Sequence, residues 1–203
     1  MERLAKSLAL KMYNNQLIAY DSIDNYSYAI EMCAIRIFGW VILLSIAALI
    51  GWFLEICCYL LFFSMIRQYG GGIHLNSLFG CLFVSIALTI LPVVLFQFGI
   101  PFSICQGGVI LSMIFVILIG SVNNENIAWN TEEYRKAKRI NRLIVFAEAL
   151  IIFISLFLNI NDKYVFFMMY GMVSASASML LDYLRQRGGE KNEEIRIKDS
   201  QGC

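Results

Sequence analysis

The chain has 203 residues and 59% of them are hydrophobic, which is more than the roughly half that a soluble globular domain carries. Its formal net charge is only +1, so the composition excludes a bulk electrostatic attraction to nucleic acid. Six cysteines, most of them within apolar runs, do not form the pattern of a small secreted disulfide scaffold. Together these properties predict an integral membrane protein that works in the lipid bilayer.

The N-terminal region, residues 1–25, has the pattern of an amphipathic helix. Apolar residues such as Leu4 and Leu8 alternate there with the basic residues Lys6 and Lys11. An apolar face beside basic side chains is typical of a helix on the cytoplasmic membrane surface. The same pattern also suits an ordinary helix packed against a bundle.

Residues 26–66 are almost continuously apolar. As one helix they would extend about 60 Å, twice the hydrocarbon thickness of a bilayer, so we divide them by a tight turn near Ile50 and Gly51. The sequence therefore predicts an all-α, polytopic helical bundle that forms a single integral membrane domain over residues 1–203. Its six predicted transmembrane helices are 27–48, 50–66, 77–97, 102–121, 142–160 and 163–184.

The distribution of basic residues supports six spans. A basic loop is predicted at 122–141 and a polar C-terminal tail at 185–203, whereas the loops near Gly99 and Asn161 are nearly free of Lys and Arg. Cytoplasmic loops carry an excess of Lys and Arg, so the basic loop and both termini are predicted to be cytoplasmic. The same topology places residues 67–76 on that side. The loop's basic residues are Arg135, Lys136, Lys138 and Arg139.

Two carboxyl groups, Glu55 and Glu148, are predicted deep within the spans. A carboxylate there is costly and usually faces a partner or a wet cavity, so one interpretation is a polar cavity near residues 67–81, with Glu55 facing Arg67. The alternative is that each is a protonated or snorkelling side chain of the bundle.

Residues 67–81 hold the side chains that could carry chemistry. They include His74, which is the single histidine, and Cys81, seven positions later. A thiol attacks as its thiolate, and a nearby imidazole can take the proton, so these two types form a possible catalytic dyad. On one helix they would be about 10 Å apart along the axis, too far for a hydrogen bond.

The dyad therefore requires His74 to lie outside the helix and to fold back over it. The run Gly70–Gly72 provides the backbone freedom for such a bend. Asn76 or Ser77 is a plausible N-cap, which would put Cys81 just past the first helical turn, where the positive end of the helix favours a thiolate.

Each of these residues also has a purely structural interpretation. Cys81 could be a packing residue, His74 an interfacial or capping residue, the glycines a loop, and Arg67 a membrane anchor. A metal site is not expected, because the chain has one histidine and the adjacent Cys57 and Cys58 point to different faces of a helix. No cofactor is predicted.

The pattern Arg67-x-x-Gly70-Gly71-Gly72-x-His74, followed by Cys81, resembles the accessory gene regulator B (AgrB) family. These are polytopic membrane cysteine endopeptidases of Gram-positive bacteria. The resemblance covers most of the chain, including its size, its run of spans and the basic segment near 135–142. It implies that the chain processes a short precursor peptide of the AgrD type and forms a homodimer.

Carried over residue by residue, the resemblance implies that Cys81 is the nucleophile and His74 the general base. Arg67 and Gly72 match positions important for activity, and Gly71 completes the double glycine. Cys81 would release the acidic C-terminal tail of the precursor and form an acyl-enzyme, which a Cys or Ser side chain of the peptide then captures as a thiolactone or lactone. The alternative function is a non-catalytic membrane transporter or scaffold subunit that uses Glu55 and Glu148.

Overall fold

The computed structural model describes residues 2–71, 78–122 and 130–201. The structure is 87% helical, and these ranges contain no strand, so the predicted all-α class is confirmed. Contacts divide the chain into two compact units, Met1–Gly51 and Trp52–Cys203, which are described separately below. The organisation as a single membrane domain stays a prediction.

The first unit consists of two helices joined through a short 3-10 turn. Helix α1 covers Glu2–Asn14, the turn covers Tyr20–Ser22, and helix α2 covers Ile23–Leu49. Helix α1 contacts α2 and buries Ala5 and Ala9, whereas Leu4 and Leu8 are 70% and 51% exposed. The alanine stripe therefore packs within the unit and the leucine stripe stays open, as expected of a helix that lies on a membrane surface.

The described part of the second unit contains five helices, and this unit carries the predicted active segment. Helix α7 packs on α3, α5 and α6, and its buried methionines meet apolar side chains from all three. Gly171 of α7 permits a close approach to α3, because a Cβ there would lie 2.7 Å from the carbonyl oxygen of Tyr59. The five helices are α3 (Phe53–Gly70), α4 (Leu78–Gln97), α5 (Phe102–Ile119), α6 (Thr131–Phe157) and α7 (Asp162–Gln201).

Each of the six predicted spans corresponds to a helix, α2 to α7. Four of them contain a stretch long and apolar enough to cross a membrane, namely α2, α5, α6 and the part of α7 over Asp162–Arg187. Helix α3 has 18 residues, and the apolar part of α4 is the shorter stretch Leu82–Gln97. The chain thus has several helices able to span a bilayer, which supports a membrane protein, and the exact number of six spans stays a prediction.

Two boundaries differ from the sequence prediction. The segment 122–141 was expected to be a loop, but α6 begins at Thr131, so its basic residues lie on the first turns of a helix. That helix starts early because Asn130 and Glu133 form a capping box, with the Asn130 side chain accepting from the Thr131 N–H at 2.6 Å. The tail predicted at 185–203 likewise continues α7 as helix through Gln201.

Candidate active site

Arg67 lies in the last turn of α3 and is hydrogen-bonded to α7. Its Nη1 atom donates a hydrogen bond of 3.2 Å to the Ser178 hydroxyl, and its guanidinium lies 6.0 Å from the centre of the Phe63 ring. The expected pairing of Glu55 with Arg67 is wrong. Twelve residues of one continuous helix separate them by about 18 Å along its axis.

Gly71 ends α3 in a conformation that only glycine adopts readily. Its backbone has φ +83° and ψ −158°, and a Cβ at this position would lie 2.5 Å from the carbonyl oxygen of Val122. Side chains are essentially absent from this region of backbone space. Any other residue would therefore strain the backbone and push away the segment that follows α5.

The end of α3 is hydrogen-bonded to the segment that follows α5, and we call the two segments, residues 69–71 and 120–122, the glycine junction. The Val122 N–H donates to the Gly70 carbonyl at 2.9 Å, and the Ser121 hydroxyl donates to the Tyr69 carbonyl. Both Ser121 and Val122 are buried. The junction thus fixes the backbone directly before residues 72–77 of the predicted active segment.

Two side chains of helix α6 donate hydrogen bonds to the glycine junction. The amide nitrogen of Asn141, a fully buried residue, donates to the Gly120 carbonyl at 2.6 Å, and the Tyr134 hydroxyl donates to the Ser121 carbonyl at 3.0 Å. Gly120 has φ +83°, and a Cβ there would lie 2.7 Å from Cγ of Lys138. The C-terminal ends of α3 and α5 and the first turns of α6 therefore meet at one end of the second unit.

Asn141, Ser121 and Ser178 were not predicted from the sequence as site residues. The signal for Asn141 was present, because α6 buries a stripe at spacings of three and four residues, and Asn141 interrupts its apolar members. Ser121 and Ser178 carried no such signal, since one follows a helix and the other is one of several serines on α7. The buried stripe of α6 comprises Ala137, Asn141, Val145, Glu148, Ile152 and Ser155.

Glu148 is the second polar member of that stripe with an unusual environment. Its side chain is 2% exposed, and neither carboxyl oxygen has a hydrogen-bond partner among the residues that the structure describes. Val145 and Ile152, one turn away on either side, belong to the apolar core. An ionised carboxylate in such a place is costly and usually faces a partner or a wet cavity, so Glu148 as a functional polar group and Glu148 as a side chain of the bundle both stay predictions.

The structure gives a partial view of the predicted catalytic residues. Cys81 is the fourth residue of α4, and its backbone is helical. His74 and Gly72 lie outside the described residues, so the dyad and the bend around it stay predictions. Within residues 2–71, 78–122 and 130–201, no group of three His, Cys, Asp or Glu side chains is arranged to hold a metal ion.

Comparison with known proteins supplies the family. Residues 5–181 of the 203-residue chain match the family described as Accessory gene regulator B. The match includes all the helices of the second unit up to the middle of α7, and it indicates a role in the accessory gene regulator system of quorum sensing. No curated protein and no solved structure matches the chain. Because the match covers most of its length, this chain belongs to the accessory gene regulator B family.

Proposed function

We propose that this chain is a membrane cysteine endopeptidase that cuts an AgrD-type precursor peptide and cyclises it. The observation that carries the proposal is the family match over residues 5–181, which spans Arg67, Gly71, Gly72, His74 and Cys81. Two features of the structure support it. Only glycine suits the backbone of Gly71, and Cys81 belongs to the first residues of an apolar helix.

The proposed reaction begins at the Cys81 thiol. His74 takes its proton, and the thiolate attacks the scissile carbonyl of the precursor to give a tetrahedral intermediate. Collapse of the intermediate breaks the peptide C–N bond, and His74 returns the proton to the departing amine of the acidic C-terminal tail. The remaining peptide is then held on Cys81 as a thioester.

A thiol or hydroxyl of the same peptide then attacks the thioester carbonyl. The C–S bond to the enzyme breaks, Cys81 regains its proton, and the peptide leaves as a thiolactone or lactone ring. Exclusion of water at the membrane favours ring closure over hydrolysis of the thioester. Backbone N–H groups near Cys81 are the proposed donors to the oxyanion.

The first turns of α6 offer a surface for the acidic tail of the precursor. Arg135, Lys136, Arg139 and Arg142 are all exposed there, and Tyr134 from the same turns reaches the glycine junction. Opposite charges steer an encounter and fix its register, so the tail would be guided towards the active segment. Topology alone is the other explanation of these charges. Attraction predicts that added salt raises KM, whereas a purely topological role leaves KM unchanged.

The proposal includes a location and an oligomeric state. Both termini and the active segment would lie on the cytoplasmic side, and the protein would act as a homodimer in the cell membrane. The basic turns of α6 support this orientation, because the glycine junction lies at the same end of the second unit as those turns.

The decisive experiment is co-expression with the precursor in membranes, read by mass spectrometry. Wild type is expected to release the C-terminal tail and to show a protein–peptide thioester, and both should vanish in Cys81→Ala and His74→Ala. Cys105→Ala is the matched control, since Cys105 is a half-buried free cysteine on α5. Release of the tail by Cys81→Ala would sink the mechanism and return Cys81 to a packing role.

The transporter alternative is favoured by one observation, the buried carboxyl group of Glu148 without a partner among the described residues. A transport path would need that group, whereas the peptidase would not. Glu148→Gln is therefore expected to retain cleavage and thioester formation if the chain is a peptidase. Loss of peptide movement in Glu148→Gln, together with full function of Cys81→Ala, would favour the transporter.

A further inference from the structure

The side chain of Asn141 is placed to control the geometry of the glycine junction. It is fully buried, and its amide nitrogen donates to the Gly120 carbonyl at 2.6 Å and lies 3.9 Å from the sulfur of Met179. The same nitrogen would lie 3.1 Å from a Cβ placed on Gly70. Asn141 therefore touches both segments of the junction, one through a hydrogen bond and the other by direct packing.

From Gly120 the restraint continues to α3 through two short steps. Ser121 and Val122 follow Gly120 directly, and their hydroxyl and N–H groups donate to the carbonyls of Tyr69 and Gly70. The Tyr134 hydroxyl holds the carbonyl of Ser121 from the other side. The first two bonds restrain the backbone of residues 69–71, which directly precede residues 72–81, so a displaced Gly120 would weaken that restraint.

We propose that Asn141 is a positioning residue for the peptidase reaction, acting through Gly120 and Ser121 on the entry to residues 72–81. The inference rests on the proposed function and deepens it. It makes the rate of the chemical step depend on a residue of α6 that lies sixty positions after the proposed nucleophile. A misplacement of about 1 Å at a reacting group can reduce a rate a hundredfold, so a restraint on the preceding backbone is expected to appear in kcat.

A second feature of Asn141 agrees with this role. Its side-chain oxygen is buried and has no hydrogen-bond partner among the described residues. An unpaired buried acceptor destabilises the fold, so the bond to Gly120 is made at a cost in stability. The apolar alternative, leucine, has nearly the same size and would avoid that cost, which makes Asn141→Leu the informative substitution.

The test uses the full-length protein in lipid vesicles with a synthetic precursor peptide. Tail release gives kcat and KM, thermal unfolding gives the midpoint temperature, and hydrogen exchange of the Val122 amide reports on the junction. Asn141→Leu is expected to lower kcat about tenfold or more and to leave KM within about twofold. Ser121→Ala should lower kcat about threefold to tenfold, which keeps the proposal testable if the first variant folds poorly.

Ser155→Ala is the matched control for a polar change in the interior of α6. Ser155 is 4% exposed on the same buried stripe and lies about 21 Å along the helix from Asn141, away from the junction. It should keep wild-type kcat and wild-type exchange of Val122. Faster exchange in Asn141→Leu and Ser121→Ala, limited to the junction and accompanied by the fall in kcat, would support the inference.

Other outcomes would overturn it. Wild-type kcat in Asn141→Leu, or an effect confined to KM, would show that the junction does not position the reacting groups. Equal losses of kcat in Asn141→Leu and Ser155→Ala, with faster hydrogen exchange throughout the protein, would show that Asn141 contributes only to the general stability of the protein. These results differ from a failure of the proposed function, in which wild type itself releases no tail.

Discussion

Replacing Gly71 with alanine tests the geometry of the glycine junction most directly. The added Cβ would occupy a backbone conformation with φ +83° and ψ −158°, which costs about 1–3 kcal/mol for a residue other than glycine. It would also lie 2.5 Å from the Val122 carbonyl oxygen, and relieving that contact weakens the bond from Val122 to Gly70, worth about 1 kcal/mol. The expected loss of unfolding free energy is thus about 2–4 kcal/mol.

Gly99→Ala is the matched control for this substitution. Gly99 also has a positive φ, +69°, but a Cβ there would meet no atom within 4 Å. Gly99→Ala should lower the free energy of unfolding by on the order of 1 kcal/mol, because only the backbone strain remains. Thermal unfolding in detergent micelles should therefore show a midpoint lowered by about 4–16 °C for Gly71→Ala and by a few degrees for Gly99→Ala. Equal shifts for the two variants would refute the argument from the Val122 contact.

Three further substitutions test other parts of the site. Ser178→Ala removes the hydroxyl that accepts a hydrogen bond from Arg67 and should reduce tail release several-fold. Ser176→Ala is the control, because the buried Ser176 hydroxyl has no partner among the described residues, and it should leave tail release and stability unchanged. Equal losses of tail release in the two variants would contradict the role of Ser178. Glu148→Gln should unfold at the wild-type temperature or above it, since the buried Glu148 carboxyl group has no hydrogen-bond partner among the described residues that the substitution could remove. A clearly lower midpoint temperature would show that the carboxyl group does have a partner. Asn130→Ala should cost about 1 kcal/mol in thermal unfolding through loss of the capping box, and an unchanged midpoint would show that the cap adds nothing to α6.

The sequence was sufficient for the class of fold and for the approximate places of the helices. Runs of apolar residues long enough to cross a bilayer must satisfy their backbone hydrogen bonds internally, and that requirement leaves helices as the result. The break near Gly51 was predictable for a similar reason, because residues 26–66 are too long for one span, and α2 does end at Leu49. The start of α6 was missed because the charges on its first turns were read as a loop, although the capping residues Asn130 and Glu133 were visible.

The residues of the candidate site could be predicted from the sequence, but the contacts that hold them could not. Arg67, the glycines, His74 and Cys81 could be named from the sequence, because their chemical types and spacing within one short segment already suggest a family. The contacts that hold this segment could not be named, because Ser121, Asn141 and Ser178 lie 21 to 111 residues from the groups they approach. A sequence states which side chains can donate or accept a hydrogen bond, but only the packing of α5, α6 and α7 around the end of α3 decides which of them meet.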